Sequence, residues 1–370
     1  LVGSEMCIRD SLNMQSFLSK TQTIEQMIAL VTKAVGRDLL RAYPDIDYLD
    51  KSILTFMLDD VYQNYQVPFI FIIDEWDCIF RSRKNQLEEQ TKYLDFLRDL
   101  LKDKGYIALA YMTGILPIKK YGEHSAINVF YEYSMTDASP IEEFTGFTEQ
   151  EVRQLCEQYN MPFSETKKWY DGYCVDGVSI YNPKSVVEAM LRGKFSNYWT
   201  QTETYEALKI YIQSNEFGVQ DVILKLLAGE KEKIDTTTFS NDMVTFATKD
   251  DVLTLLVHLG YLTYNAETKE IWIPNDEVME QFISTVKVMG WGSVVTALET
   301  SEKLLQATLS GDEQTVAELI EQAHQANASI LKYNDENALS CVISLAYYSA
   351  QKNYTCLLYT SPSPRDRSLS

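Results

Sequence analysis

Apolar residues recur at helical spacing from Ile24 to Ala42, at Ile24, Met27, Ile28, Val31, Val35 and Leu39, and Tyr43-Pro44-Asp45 ends the stripe. Ile53 to Tyr65 repeats that spacing through Ile53, Phe56, Met57 and Val61. The period then changes. Val67 to Ile73 (VPFIFII) is a continuous apolar run, too short for a buried helix and rich in β-branched and aromatic residues, which predicts a strand covered on both faces. Gln86 to Lys102 returns to an amphipathic helix, with Leu94, Leu97, Leu100 and Leu101 on one side, and Tyr106 to Met112 (YIALAYM) is a second apolar strand ending at Thr113-Gly114. Strand, helix and strand in this order make a βαβ crossover, so the two strands are expected to be parallel with their carboxyl ends on one edge. Ahead of them, Asn13 to Phe17 reads as the end of a further strand.

The second half alternates helices with turns. Thr148-Glu149-Gln150-Glu151 is a capping box opening a helix through Tyr159, and Trp169 to Tyr173, followed by Asp176-Gly177, supplies turns between short aromatic-rich segments of a lid-like core. Tyr181-Asn182-Pro183 opens a helix over Lys184 to Leu191. Thr248 to Asp251 caps another that runs to Leu259 and stops at Gly260; strands at Tyr261 to Tyr264 and Glu270 to Pro274 complete a winged-helix-like unit over 231–300. Leu304 to Ala323 reads as two helices broken at Gly311-Asp312, and Glu336 to Ala350 as one more. The fold class is α/β followed by mostly α.

Charge narrows the function. The chain carries 33 Lys+Arg against 53 Asp+Glu, a net charge of −20, which argues against a simple nucleic-acid binder. The winged span alone holds five lysines against eleven acids, so it reads as a protein-contact or packing module. No stretch approaches the ~20 apolar residues of a membrane helix. Six cysteines without CxxC spacing fit a reducing, cytoplasmic setting; Cys78, Cys156, Cys174 and Cys341 read as plain buried thiols. His124, His258 and His324 lack ligand spacing, and His258 reads as a core or boundary histidine. The two ends stand apart. Leu1 to Ser11 (LVGSEMCIRDS) and Cys356 to Asp366 (CLLYTSPSPRD) back-translate to opposite strands of one duplex, as a transposon-type sequencing adaptor read in both directions would give. Both tails, 1–11 and 356–370, are set aside as artefactual, leaving 12–355 as the authentic segment.

The chemistry gathers at the strand ends. Asp74, Glu75 and Thr113 follow the two apolar runs, and in open α/β sheets ligands bind at that edge. An acid there helps hold Mg²⁺, a following carboxylate polarises the attacking water, and a polar residue ending the neighbouring strand senses the terminal phosphate. A DE pair in so acidic a chain also serves as a solvated turn or helix cap, and Thr113 at the matching position is what favours chemistry. Arg81, Arg83 and Lys84 follow the acids, either as a solvated loop or as partners for a phosphate in a neighbouring subunit. No GxxxxGK[ST] loop occurs; the Gly193-Lys194 pair is followed by Phe195.

The runs VPFIFIIDEWDCIF, YIALAYMTGILPIKKYG, EEFTGFTEQEV, KKWYDGY, SIYNPKSVVEAM and NYWTQTE, in this order, resemble the bacterial AAA-ATPase-like family that carries a C-terminal PD-(D/E)XK nuclease domain. The resemblance covers most of 12–355. It implies a truncated P-loop-type parallel sheet over 12–147, a helical lid over 148–230, the winged-helix-like unit, and a helical segment over 301–355 leading to a nuclease domain that lies beyond it. It further implies that Asp74 is the Walker B aspartate on the metal, Glu75 the catalytic glutamate and Thr113 the end of the sensor strand. ATP and Mg²⁺ would be cofactors of the intact parent, bound poorly by this chain, which lacks the phosphate loop. Nucleic acid would be met only through the nuclease domain, with Glu336 either a helical acid near its site or a first-turn glutamate on the helix dipole. The alternatives are an interaction scaffold with protein partners or self-association, and a nucleic-acid-binding regulator. Bare sheet edges are expected to make the chain aggregation-prone.

Overall fold

The computed structural model describes residues 12–83, 85–116, 130–199, 218–227, 229–239, 246–288, 292–328 and 346–347. The two tails, Lys84, His124 and Cys341 lie outside them, as does the expected Glu336 to Ala350 helix except for residues 346 and 347. The chain divides into two compact units, Leu1–Ile141 with Asp235–Gly260, and Glu142–Ile234 with Tyr261–Ser370.

The first unit is built on a three-stranded parallel sheet, β1 (Leu12–Asn13), β2 (Phe69–Asp74) and β3 (Ile107–Met112), in that order. Leu12 pairs with Ile73 and Asn13 with Asp74, while Ile70 pairs with Leu109 and Ile73 with Met112. β1 is shorter than the strand expected through Phe17. Asn13 ends it because its side chain accepts the Ser16 amide, which starts α1 (Met14–Leu18).

α2 (Ile24–Ala42), capped by Thr23, and α3 (Leu54–Tyr65) fall on the periodic stripes, and Ile24, Met27, Val31, Leu39, Met57 and Val61 are buried. α4 (Cys78–Ser82) and α5 (Leu87–Leu101) make the crossover between β2 and β3. The expectation that β2 is covered on both faces does not hold among the described residues. Phe71 and Ile73 are buried, but on the other face Ile70 is 64% exposed, Ile72 42%, Leu109 55% and Tyr111 52%.

The second unit is more β-rich than expected. β4 (Phe147–Thr148), β5 (Tyr173–Val175) and β6 (Val178–Tyr181) form an antiparallel sheet in the order β4-β6-β5. The hairpin turns at Asp176-Gly177, whose φ values of 46° and 81° are those a tight hairpin of this twist requires. α6 (Glu149–Tyr159) opens on the Thr148/Glu151 capping box; α7 (Phe163–Tyr170) and α8 (Pro183–Arg192) follow. Their core is Val152, Cys156, Tyr170, Tyr181, Val186, Ala189, Met190 and Tyr198. Gly172 has φ 103°, and a Cβ there would strike the Pro274 carbonyl, so the YDG turn admits glycine alone.

After α9 (Val219–Leu227), a second antiparallel sheet joins β7 (Glu232–Lys233), β8 (Thr263–Asn265) and β9 (Glu270–Trp272) in the order β7-β9-β8. α10 (Lys249–His258) has the Thr248/Asp251 capping box but belongs to the first unit, whereas β7, β8 and β9 belong to the second. The 231–300 span is therefore divided between units. α11 (Asp276–Val288), α12 (Gly292–Ser310) and α13 (Glu313–Ala328) follow in the second unit, with the break at Gly311, φ 73°. Among the described residues no helix is long and apolar enough to cross a membrane.

Candidate functional site

β2 and β3 run together, so Asp74 and Thr113 leave the sheet at the same edge. The Thr113 amide donates to the Ile73 carbonyl at 2.9 Å, and its hydroxyl donates to Asp74 Oδ1 at 2.7 Å. The Asn13 amide Nδ2 donates to Asp74 Oδ2 at 3.0 Å while Asn13 Oδ1 accepts the Ser16 N–H at 2.8 Å. The Glu75 N–H donates to Asp74 Oδ1 at 3.0 Å. Asp74 is thus fixed by donors from the strand on either side and from its own turn. Asn13 was not among the residues singled out in the sequence, where it reads only as part of a strand.

Glu75 takes a different course. Its φ of 56° is left-handed, a conformation that costs a non-glycine residue on the order of 1 kcal/mol, and its carboxylate pairs with Arg81 on α4. The Trp76 N–H donates to the Thr113 carbonyl at 3.1 Å, and the buried Tyr93 hydroxyl donates to the Trp76 carbonyl at 2.8 Å, so the turn is tied to both β3 and α5. Of the three expected residues, Asp74 and Thr113 are brought into contact and Glu75 is drawn to α4.

Asp77, three residues after Asp74 in the run DEWD, is fully buried. Its Oδ2 accepts the Ile115 and Leu116 N–H groups at 3.2 and 2.9 Å and lies 3.2 Å from Arg81 Nε. Among the described residues its Oδ1 has no hydrogen-bond partner, and it sits against Gly114, where an added Cβ would come within 2.7 Å of it and 2.6 Å of Trp76 Cδ1. The sequence offered one signal for Asp77, a second acid at short spacing, and nothing to say that it folds inward.

Arg81 and Arg83 are not a solvated loop. Arg81 is 16% exposed and Arg83 15%; Arg83 donates to Glu89 Oε2 and to the Gln22 carbonyl, each at 2.7 Å. Cys78 is buried, and that burial pushes its thiol up to about 12, which keeps it protonated and inert. Cys156 is buried too, its thiol donating to Thr166 Oγ1 at 3.3 Å, whereas Cys174 is only half-buried. His258 stacks on Phe239 with ring centroids 5.6 Å apart, and burial lowers its pKa to about 4.

Among the described residues no group of three or more His, Cys, Asp or Glu side chains is placed to hold a metal. The donors at the sheet edge nevertheless suit Mg²⁺, which prefers oxygen, keeps several waters and is held by one or two carboxylates together with substrate phosphates. Asp74 is the carboxylate here that could hold one, its Oδ1 already accepting from the Thr113 hydroxyl and the Glu75 N–H and its Oδ2 from Asn13 Nδ2.

In the second unit, Glu277 is a buried acid that the sequence did not reveal. Its Oε1 accepts the Ser185 hydroxyl at 3.0 Å and the Tyr198 and Trp199 N–H groups at 2.6 and 3.0 Å. Burial raises its pKa against the opposing pull of these bonds. It ties the NYW run to α8 and α11.

No family model matches the chain and no solved structure matches it. A curated protein of Azotobacter chroococcum mcd 1, described as "Uncharacterized protein in vnfD 5'region", is 26% identical over 141 residues. That similarity takes in 36% of this chain and 27% of the relative, so the chain spans about a quarter of the relative's length.

Proposed function

We propose that the chain is part of an AAA-like ATPase in which Asp74 orients Mg²⁺, Glu75 polarises the attacking water and Thr113 senses the terminal phosphate, with nucleotide turnover coupled to a C-terminal nuclease in the intact parent. One observation carries the reading: the Thr113 hydroxyl and the Asp74 carboxylate meet at 2.7 Å across two parallel strands. That is the edge where phosphoryl-transfer sites of α/β sheets are assembled. The three-stranded parallel sheet is read as the P-loop type on the same ground. The chain order α10, β8, β9 is that of a winged helix, with the helix in one unit and the strands in the other, and the acidity of the span favours contact with protein over DNA.

The test is phosphate release by the full-length protein encoded at the genomic locus. Glu75→Gln should keep Mg-ATP affinity and slow turnover by about 100-fold or more, as loss of a general base does, while Asp74→Asn should weaken the Mg²⁺-dependent part of binding. The 370-residue chain, lacking a glycine-rich phosphate loop, should neither hydrolyse ATP nor bind it well; tight Mg-ATP binding by it overturns that expectation. A second reading, an interaction scaffold that kept the fold without the chemistry, is favoured by the way Asp74, Glu75 and Asp77 all engage the chain's own donors. Nucleotide binding by the full-length protein removes it.

A further inference from the structure

We propose that Asp77 and Gly114 are positioning residues for Thr113: together they clamp the chain after β3 against the turn after β2, and so aim the Thr113 hydroxyl. The proposal rests on the hydrolytic reading of this sheet edge.

Thr113 lies one residue past β3, and its N–H bond to the Ile73 carbonyl carries the parallel ladder one step further. Beyond it, bonds from the DEWD turn take over. The Trp76 N–H donates to the Thr113 carbonyl at 3.1 Å, and Asp77 Oδ2 accepts the Ile115 and Leu116 N–H groups at 3.2 and 2.9 Å. Both peptide planes that flank Gly114 are thereby tied to the turn. Threonine is β-branched and stiff at χ1, so its hydroxyl points where the backbone places it. Here that is 2.7 Å from Asp74 Oδ1.

Gly114 fits this clamp for want of space. Its φ is not left-handed, but an added Cβ would come within 2.6 Å of Trp76 Cδ1 and within 2.7 Å of Trp76 Nε1 and Asp77 Oδ1. Trp76 is 5% exposed, with its carbonyl bonded by the buried Tyr93 hydroxyl at 2.8 Å, and Asp77 is fully buried. Close-packed side chains of this kind do not swing aside, so a methyl group on Gly114 displaces the segment that carries Thr113. A positioned group moved by about 1 Å can cost roughly 100-fold in rate.

Steady-state phosphate release and Mg-ATP binding by the full-length protein test this. Asp77→Ala and Gly114→Ala should each lower kcat about 10-fold or more, with Mg-ATP affinity kept within about twofold. Asp77→Asn keeps an oxygen for the two amides and should hold kcat within about threefold of the wild type. Added to Thr113→Val, neither Asp77→Ala nor Gly114→Ala should slow turnover further, because both act through the hydroxyl already removed. General destabilisation would instead multiply with Thr113→Val, and that outcome overturns the proposal. So does a kcat in Asp77→Asn as low as in Asp77→Ala, or a wild-type kcat in Gly114→Ala. If Asp77→Ala does not fold, Gly114→Ala decides. A wild-type kcat in Thr113→Val overturns the proposal and leaves hydrolysis standing, whereas absence of turnover in the wild type removes the hydrolytic reading, and the clamp's role with it.

Discussion

Of the acids in the DEWD run, Asp77 alone is fully buried. Its carboxylate closes the turn after β3 through two backbone amides and neutralises Arg81 in a place with little access to water. Asp77→Ala leaves two N–H groups and a guanidinium without this partner, and removal of one member of a buried pair is expensive. The expected loss is on the order of 3 kcal/mol, read as a lower urea midpoint at unchanged slope. A change within ~0.5 kcal/mol would show that the turn stands without it. Asp74 and Thr113 were legible in the sequence because parallel strands ending in polar residues put those residues on one edge. Asp77 and Asn13 were not: the Asp77–Leu116 bond spans 39 positions and the Asn13–Asp74 bond 61, and no local pattern marks either.

The helices α2, α3, α5, α6, α8 and α10 are legible nearly to the residue, because a stripe of buried side chains and a capping oxygen are both local properties, whereas α1 reads as a strand and α4, α7, α9 and α11 do not stand out. Short strands leave such a mark less often: β8 and β9 are legible, whereas β4, β5, β6 and β7 are not. β4, β6 and β7 owe their conformation to partners elsewhere in the chain, which is why the second half reads as mostly helical and folds with two antiparallel sheets. The same limit explains the misread face of β2. A continuous apolar run says that both faces are apolar; it does not say that both are covered. Ile70 and Leu109 are cross-strand partners on the bare face, where they form an apolar patch with Ile72 and Tyr111. Ile70→Lys with Leu109→Glu places opposite charges directly across the pair, and should reduce self-association of the 370-residue chain at little cost in stability. Sedimentation velocity checks it: unchanged association would mean that this face is not what the molecules share.

The two units of the molecule carry buried titratable groups of opposite sign, and their stabilities are expected to move in opposite directions with pH. In the first unit, His258 has a folded pKa of about 4 against an ordinary 6.5, so the unfolded chain takes up a proton that the folded one refuses. Its contribution is complete above pH 6.5 and is lost as pH falls towards 4, a loss of roughly 3 kcal/mol. Asp251 adds a loss of the same sign only below the ordinary aspartate value of 3.8, since the bonds from Thr238, Ala247 and Thr248 outweigh its burial and depress its pKa. In the second unit, Glu277 has a folded pKa above the ordinary 4.5, so its contribution is full below that value and is lost as pH rises through the raised one. Glu277→Gln keeps an oxygen for Ser185, Tyr198 and Trp199 and carries no charge. It should therefore stabilise the second unit at pH 7 and leave it unchanged at pH 4, while His258→Phe should flatten the acid limb of the first unit alone. Hydrogen exchange followed by peptide mass spectrometry separates the two, through peptides over 249–258 and over 194–199. Equal pH dependence of both sets in the wild type, or a Glu277→Gln effect that is the same at pH 4 and pH 7, would show that these two side chains do not set the response.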